Sequence, residues 1–282
     1  MKTRRILSWV LIAVLVLQGC ASSSRKSAGE SNLLSDFERK ELEIGRQIHA
    51  QVLSSFYLYT EPHLIEYVNG VGRRMAEQAD RKKLNYQFTV LLDDKIFATS
   101  APGGYVYITT GMIDFLDNEA QLAAVLSHEI AQLQYLDPRF SKSHKRLEDI
   151  TKGGTIVGSF LGNIGVIAIV GLQVMNALTD EKTKDQRVDL ADRLTLRYLT
   201  AAGYDPECWA DALYKMVHLK KDDIVRLFDY YNTRPISLSR LKKIKKSLTK
   251  MDLSGKTLET GTEAYEQAVK GVRQIYAVTP AV

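Results

Sequence analysis

Apolar residues along this chain recur mostly at helical spacing, interrupted by one short interval of alternation. Ser35-x-x-Glu38 forms a capping box. Ile44, Ile48 and Val52 then fall on one helix face, which predicts a first helix of about 20 residues. A second helix is predicted from Pro62, with Leu64, Val68, Val71 and Met75 on its apolar side. Between Tyr86 and Leu92 the period shortens to two (Phe88, Val90, Leu92), the pattern of a strand. Ala101-Pro102-Gly103-Gly104 reads as a turn, and Tyr105 to Thr109 as another strand. From Asn118 onward the pattern is helical almost throughout. An amphipathic helix is predicted over 118–136, with Leu122, Val125 and Leu126 on its apolar side. Another runs over 184–202 and is ended by Gly203 and Pro206. Further helices are expected over 206–219, 239–251 and 262–276. The predicted class is α+β, mainly helical with a small β-sheet, and no solenoid repeat is read after residue 200.

Two segments depart from this pattern. Lys2, Arg4 and Arg5 precede an apolar run from Ile6 to Leu17, which leads into Leu17-Gln18-Gly19-Cys20. That is the layout of a secretory signal peptide. Its ending resembles a lipobox, which implies that Cys20 is acylated and becomes the first mature residue. A run of about 12 apolar residues is short for an uncleaved membrane span. Ala21 is not the aspartate that holds many such lipoproteins in the inner membrane, so the expected address is the outer membrane, facing the periplasm. The expected organisation is a signal peptide over 1–19, a Ser-rich flexible tether over 20–34 and one folded domain over 35–282. The second departure is 153–179, which carries no charge. Its length would suffice for a membrane span. A single crossing, however, would put helices 118–136 and 184–202 on opposite sides of a membrane. Its glycines, with Asn163, Gln173 and Asn176, suit a packed or interface-lying hairpin instead.

Composition narrows the function classes. The chain has 282 residues, 45% apolar and 25% charged, as an ordinary globular protein does. Three of the charges behind the formal +5 belong to Lys2, Arg4 and Arg5, leaving 35 basic against 33 acidic residues. The one dense basic run is Lys242, Lys243, Lys245 and Lys246, with Arg240 and Lys250 nearby. It reads as a solvated helix face, so no nucleic-acid partner is expected. Only Cys20 and Cys208 are present, which excludes an internal disulfide once Cys20 carries lipid. Cys208, beside Trp209, is expected to be a small buried apolar residue.

Candidate chemistry centres on His128-Glu129-Ile130-Ala131-Gln132. In an HExxH helix two histidines four apart share one face and hold Zn²⁺, while the glutamate activates the bound water. Here Gln132 stands at the second histidine position. The run Ala101-Pro102-Gly103-Gly104-Tyr105-Val106-Tyr107-Ile108, then Gly111, then Glu119-x-x-Leu122-Ala123-Ala124-Val125-Leu126-Ser127-His128-Glu129-Ile130, resembles the HtpX-type gluzincin peptidases. So do Ala191-Asp192-Arg193-Leu194, Arg197-Tyr198-Leu199 and Ala202-Gly203-Tyr204-Asp205-Pro206. That group includes CAAX prenyl endopeptidases and periplasmic quality-control proteases. The resemblance covers roughly 35–250 and implies a zincin-like helical domain whose small sheet lends an edge strand to the substrate cleft. It implies cleft residues Gly103, Gly104, Tyr105 and Arg234, a metal ligand at His128, a general base at Glu129 and a supporting role for Asp192 behind His128.

The departures fall on the chemistry. The family's third zinc ligand is a glutamate where this chain has Leu190. Its Thr-His-Pro appears as Thr233-Arg234-Pro235, an asparagine before the turn is replaced at Phe97 or Lys95, and a histidine five residues past the second ligand is Asp137. A catalytic zinc takes about three protein ligands plus water, and only His128 is left. The family implies zinc; these replacements imply that it is not held, and that Glu129 is idle. The expectation is a lipid-anchored pseudopeptidase that binds unfolded or assembling envelope proteins, with the strand Tyr105–Thr109 open to an extended chain by β-augmentation. The alternative is an active zinc endopeptidase degrading misfolded envelope proteins, with Asp189, Asp192 or His144 as substitute ligands. A palmitate analogue should label the protein through Cys20, and Cys20→Ala should abolish the label; processed but unlabelled wild-type chain would contradict the lipobox reading.

Overall fold

A computed structural model describes residues 35–137, 184–219 and 236–278. Cys20, His144, the uncharged stretch 153–179 and Arg234 lie outside the described residues. The compact body begins at Lys40. Helix α1 (Asp36–Ser55) starts on the capping box: Ser35 N–H donates to Glu38 Oε2 at 2.8 Å, and Glu38 N–H donates to Ser35 Oγ at 3.2 Å. Helix α2 (Pro62–Ala76) begins with a proline whose missing N–H costs nothing there. The Glu61 carboxylate accepts from the N–H groups of His63 and Leu64 and caps the same end, which lowers its pKa.

Three strands follow: β1 (Gln87–Leu91), β2 (Ala98–Ala101) and β3 (Tyr105–Thr109). Their order is β1-β3-β2, with β1 parallel and β2 antiparallel to β3. This corrects the expectation of an open strand at Tyr105–Thr109. It is the central strand, with Tyr107 facing Thr89 on one side and Thr99 on the other, so its ladder groups are taken. Among the described residues the strand that pairs on one side next to the site is β2, and all four of its residues are buried. Sequence reading missed β2 because Ala98-Thr99-Ser100-Ala101 shows no alternation. Such a strand, buried on both faces, has no polar side to display. The Pro-Gly-Gly turn joins β2 to β3, with Gly103 and Gly104 at φ +84° and +98°. A Cβ on Gly104 would stand 2.8 Å from the Asn85 carbonyl oxygen, so the turn requires glycine both for its backbone and for its space.

Helix α3 (Thr110–Phe115), also missed, is a single short turn capped by Thr109. Helix α4 (Glu119–Gln134) comes next, capped by Asn118 accepting from Gln121 N–H at 2.9 Å. Every residue from Ala120 to Gln134 is buried. The amphipathic expectation is thus overturned: α2, β2, α5 (Lys184–Ala202) and α6 (Glu207–Val217) all pack against α4 and leave it no face toward water. At its start, Glu119 accepts from the hydroxyls of Tyr67 and Tyr204, tying α2 and the α5–α6 corner to it. The corner itself turns on Gly203 at φ +84°. Cys208 is buried on α6, and burial pushes its thiol up to about 12. Helices α7 (Leu238–Leu248) and α8 (Thr262–Val278) complete the body. No helix among the described residues is long and apolar enough to cross a membrane.

One buried ion pair joins the turn to the helices. Arg81 donates to Glu41 Oε1 at 2.9 Å and to the Leu133 carbonyl at 3.1 Å; Glu41 Oε1 also accepts from Gly103 N–H at 3.2 Å. Glu41 is fully buried. Removing one partner leaves the other charge buried and uncompensated, which costs about 3–5 kcal/mol. Glu41→Ala should therefore lower the unfolding free energy measured in urea by that amount, while Glu41→Met with Arg81→Met should lose clearly less. Equal losses in the two variants would show that the pair is not the tie.

Candidate functional site

His128 and Glu129 sit in the third turn of α4 with no exposed surface. Neighbouring positions on a helix point about 100° apart, so the two side chains address different walls. Glu129 turns toward the sheet, where Ser100 Oγ on β2 donates to its Oε2 at 3.1 Å. His128 turns toward α5, α6 and α7. The Trp209 indole stacks on its ring, with centroids 5.0 Å apart and planes 29° from parallel.

Asp192, buried on α5, organises that wall. Its Oδ1 accepts from Trp209 Nε1 at 3.1 Å and from Arg240 Nη2 at 2.7 Å; its Oδ2 accepts from Arg240 Nε at 2.9 Å. The two-pronged geometry is the strong form of an arginine–carboxylate pair, and both side chains are almost fully buried. Oδ1 also stands 3.4 Å from His128 Nδ1, long for a hydrogen bond but close enough for charge and N–H dipole to align. Ser237 caps α7 by accepting from Arg240 N–H at 3.2 Å, which fixes the turn from which Arg240 reaches inward.

The opposite ring nitrogen decides what the site can hold. His128 Nε2 lies 3.0 Å from Gln132 Nε2 and 3.4 Å from Arg240 Nη2. An arginine can only donate, so Nε2 is the accepting lone pair. Gln132, one turn along α4, thus meets His128 through its amide. Leu190 is a half-buried hydrocarbon packed against the core. Asp189 is paired with Lys243 at 3.0 Å on the solvent side of α5, and so does not join His128. Gly103, Gly104 and Tyr105 are buried at the far end of β3, where Tyr105 stacks on His49 at 4.5 Å. Phe97 and Asp137 are buried as well. Among the described residues no group of three or more His, Cys, Asp and Glu side chains could hold a metal ion. The donor set around His128 does not fit a zinc ion: one imidazole, whose Nε2 lone pair already faces two N–H groups, beside an amide and a leucine.

Arg240 is the functional residue that sequence reading misplaced. Grouped with the basic run it looked solvated, and it is 5% exposed. The signal was in the phase: Arg240, Ile244 and Leu248 form one i, i+4 row on the inner side of α7. Trp209 was read only as a neighbour of Cys208, and Ser100 was not read at all.

With Nδ1 facing a carboxylate and Nε2 facing two donors, His128 should be neutral and protonated at Nδ1. Nitrogen-15 shifts of the His128 ring would report this directly. An Nε2–H tautomer or an imidazolium at pH 7 would contradict the network.

Comparison with known proteins agrees with this scaffold. The beta-barrel assembly-enhancing protease of Escherichia coli (strain K12) is 27% identical over 188 residues, 63% of this chain and 38% of that protein. The protein of the same name from Yersinia pestis is 26% identical over 227 residues, 73% of this chain and 46% of that protein. A putative one from Vibrio cholerae is 25% identical over 153 residues, 51% of this chain and 31% of that protein. The chain therefore matches less than half the length of these relatives. The model of peptidase family M48 matches residues 62–248, from the first turn of α2 to the last residue of α7, and the chain belongs to that family.

Proposed function

We propose that this chain is a pseudopeptidase: a member of peptidase family M48 that binds unfolded or assembling proteins of the bacterial envelope without cutting them. The observation that carries the reading is the donor set at His128, whose Nε2 faces Gln132 and Arg240 while Asp192 is paired with Arg240. Gln132 and Leu190 stand where the family resemblance puts the second histidine and the glutamate ligand. With the first a neutral amide and the second a hydrocarbon, two of three ligands are gone. Losing even a supporting group costs roughly 10- to 100-fold in metal affinity, so two lost ligands remove tight binding. Glu129 then has no acidified water to deprotonate. It accepts a hydrogen bond from Ser100 and holds β2 to α4. The envelope role is supported by relatives named for enhancing β-barrel assembly. A lipid anchor at Cys20 would hold the chain at the outer membrane, facing the periplasm, where such clients pass.

A second reading has one observation in its favour. Glu129 keeps its place beside β2 in a family of zinc peptidases, as an active endopeptidase with substituted ligands would need. Asp192 is its remaining described candidate, since Asp189 is spent on Lys243 at the surface.

The purified chain should carry far less than one zinc and leave unfolded casein intact. Gln132→His combined with Leu190→Glu should raise zinc content toward one per chain, since it rebuilds a three-ligand set. Stoichiometric zinc in the unmodified chain, with chelator-sensitive cleavage that Glu129→Gln removes, would establish the second reading instead.

A further inference from the structure

Helix α5 and the segment after α7 border a second feature, to which the His128 network contributes no side chain. A cavity of about 550 Å³ opens between the outer part of α5 and the segment after α7. Four cations line it: Arg193 and Arg197 from α5, and Lys250 and Lys256 from beyond α7. Among the described residues no acidic side chain joins the lining. Arg197 is held by Asp80 at 2.6 Å. Arg193, Lys250 and Lys256 form no salt bridge within the described residues, although Lys256 acts on the nearby Asp252 carboxyl and helps to lower its pKa. The floor is of the opposite character. Leu196 is buried, and Met251 is half-buried beside it. A smaller cavity of about 270 Å³ shares Arg193, Leu196, Ser247 and Lys250 and adds Lys243 and Lys246, but Asp189 and Asp192 also line it, so the larger cavity alone is the basic groove.

We propose that this groove binds the phosphate headgroup and first acyl carbons of an anionic membrane phospholipid. Each part of the lining asks for one part of that ligand. Three cations that form no salt bridge among the described residues, one of them a guanidinium whose planar fork matches two phosphate oxygens, ask for a phosphate. A free inorganic anion would leave Leu196 and Met251 uncovered, and a purely apolar ligand would leave the cations without counter-charge. An amphiphile satisfies both. Size separates a lipid from a protein partner: about 550 Å³ falls in the range of roughly 300–1,000 Å³ usual for small-ligand sites. An α-helix with its side chains, roughly 10–12 Å across, would not enter such a cleft. The basic run that reads in sequence as a solvated face thus divides. Lys242 and Lys245 line neither cavity, Lys243 and Lys246 line only the smaller one beside Asp189 and Asp192, and Lys250 lines the groove.

The test uses the full chain in a neutral detergent, with native mass spectrometry counting bound lipid. Dioleoyl-phosphatidylglycerol should be retained at one per chain, and dioleoyl-phosphatidylcholine at least roughly tenfold more weakly, since the net negative charge is what the cations recognise. Arg193→Glu with Lys250→Glu should weaken phosphatidylglycerol by roughly tenfold or more, whereas Lys242→Glu, equally exposed but outside the groove, should not. Arg193→Gln with Lys250→Gln, checked for an unchanged melting temperature, guards against a folding effect. Raised salt should weaken the binding. Equal retention of the two lipids would overturn the proposal, as would equal weakening by Lys242→Glu. Displacement of the lipid by equimolar inorganic phosphate would assign the groove to free phosphate, and displacement by equimolar hexaglutamate to acidic peptides. Either result contradicts the lipid assignment.

Discussion

Helix α4 has no face toward water, and much of the structure follows from that single constraint. A helix buried all round must find an internal partner for each polar side chain it carries, because an unmet buried donor or acceptor costs about 1–3 kcal/mol. Glu119 finds two tyrosine hydroxyls, Glu129 finds Ser100, Gln134 donates to Tyr86, and His128 faces Asp192, Gln132 and Arg240; the Ser127 hydroxyl and the amide oxygens of Gln132 and Gln134 are left without a hydrogen-bond partner among the described residues. Each of these contacts crosses to a different segment or turn, so the polar groups of α4 also register the surrounding elements. The sheet, α2, α5, α6 and α7 are keyed to one helix through these side chains, of which His128 and Glu129 are the ones a metallopeptidase would keep for chemistry.

Asp192 is where this keying is densest. One carboxylate joins α5 to α6 through Trp209, to α7 through Arg240 and to α4 through His128. A buried ion pair is weak evidence for stability, since desolvation opposes the attraction. Its worth here lies in geometry: the paired guanidinium and the stacked indole hold the imidazole in one orientation and present its Nε2 to N–H donors. Hydrogen bonds and a guanidinium charge thereby occupy the imidazole Nε2, while the Gln132 amide oxygen beside it has no hydrogen-bond partner among the described residues. This separates the scaffold, which the family defines, from the reaction, which depends on two side chains the scaffold does not need.

Long periodic elements were legible in the sequence because their apolar residues repeat at the helical period over three turns or more. The helix over 184–202 and the strand over 105–109 were read with their observed ends. Others missed by one to three residues at an end, where fraying and caps decide. The failures share a cause. Amphipathicity is a signal of partial burial, so it says least about what is buried on all sides. It misjudged α4 as two-faced, overlooked β2 altogether and left Tyr105–Thr109 looking like an edge, because pairing order is a tertiary property that no local pattern carries. His128, Glu129, Gln132 and Leu190 could be singled out because a spaced motif names them. Arg240 and Trp209 belong to no such motif and became visible only when α6 and α7 were packed against α5.

The central claim is that the fold around His128 is complete without a metal. A ligand that binds the native state raises stability in proportion to ln(1 + [L]/Kd), about 2.7 kcal/mol at a hundredfold excess over Kd. Calorimetry of the full chain with excess chelator, and then with added zinc, reads that quantity directly. The melting temperature should be the same for the chain as purified, with excess chelator and with added zinc. A fall of several degrees on chelation, reversed by zinc, would contradict it.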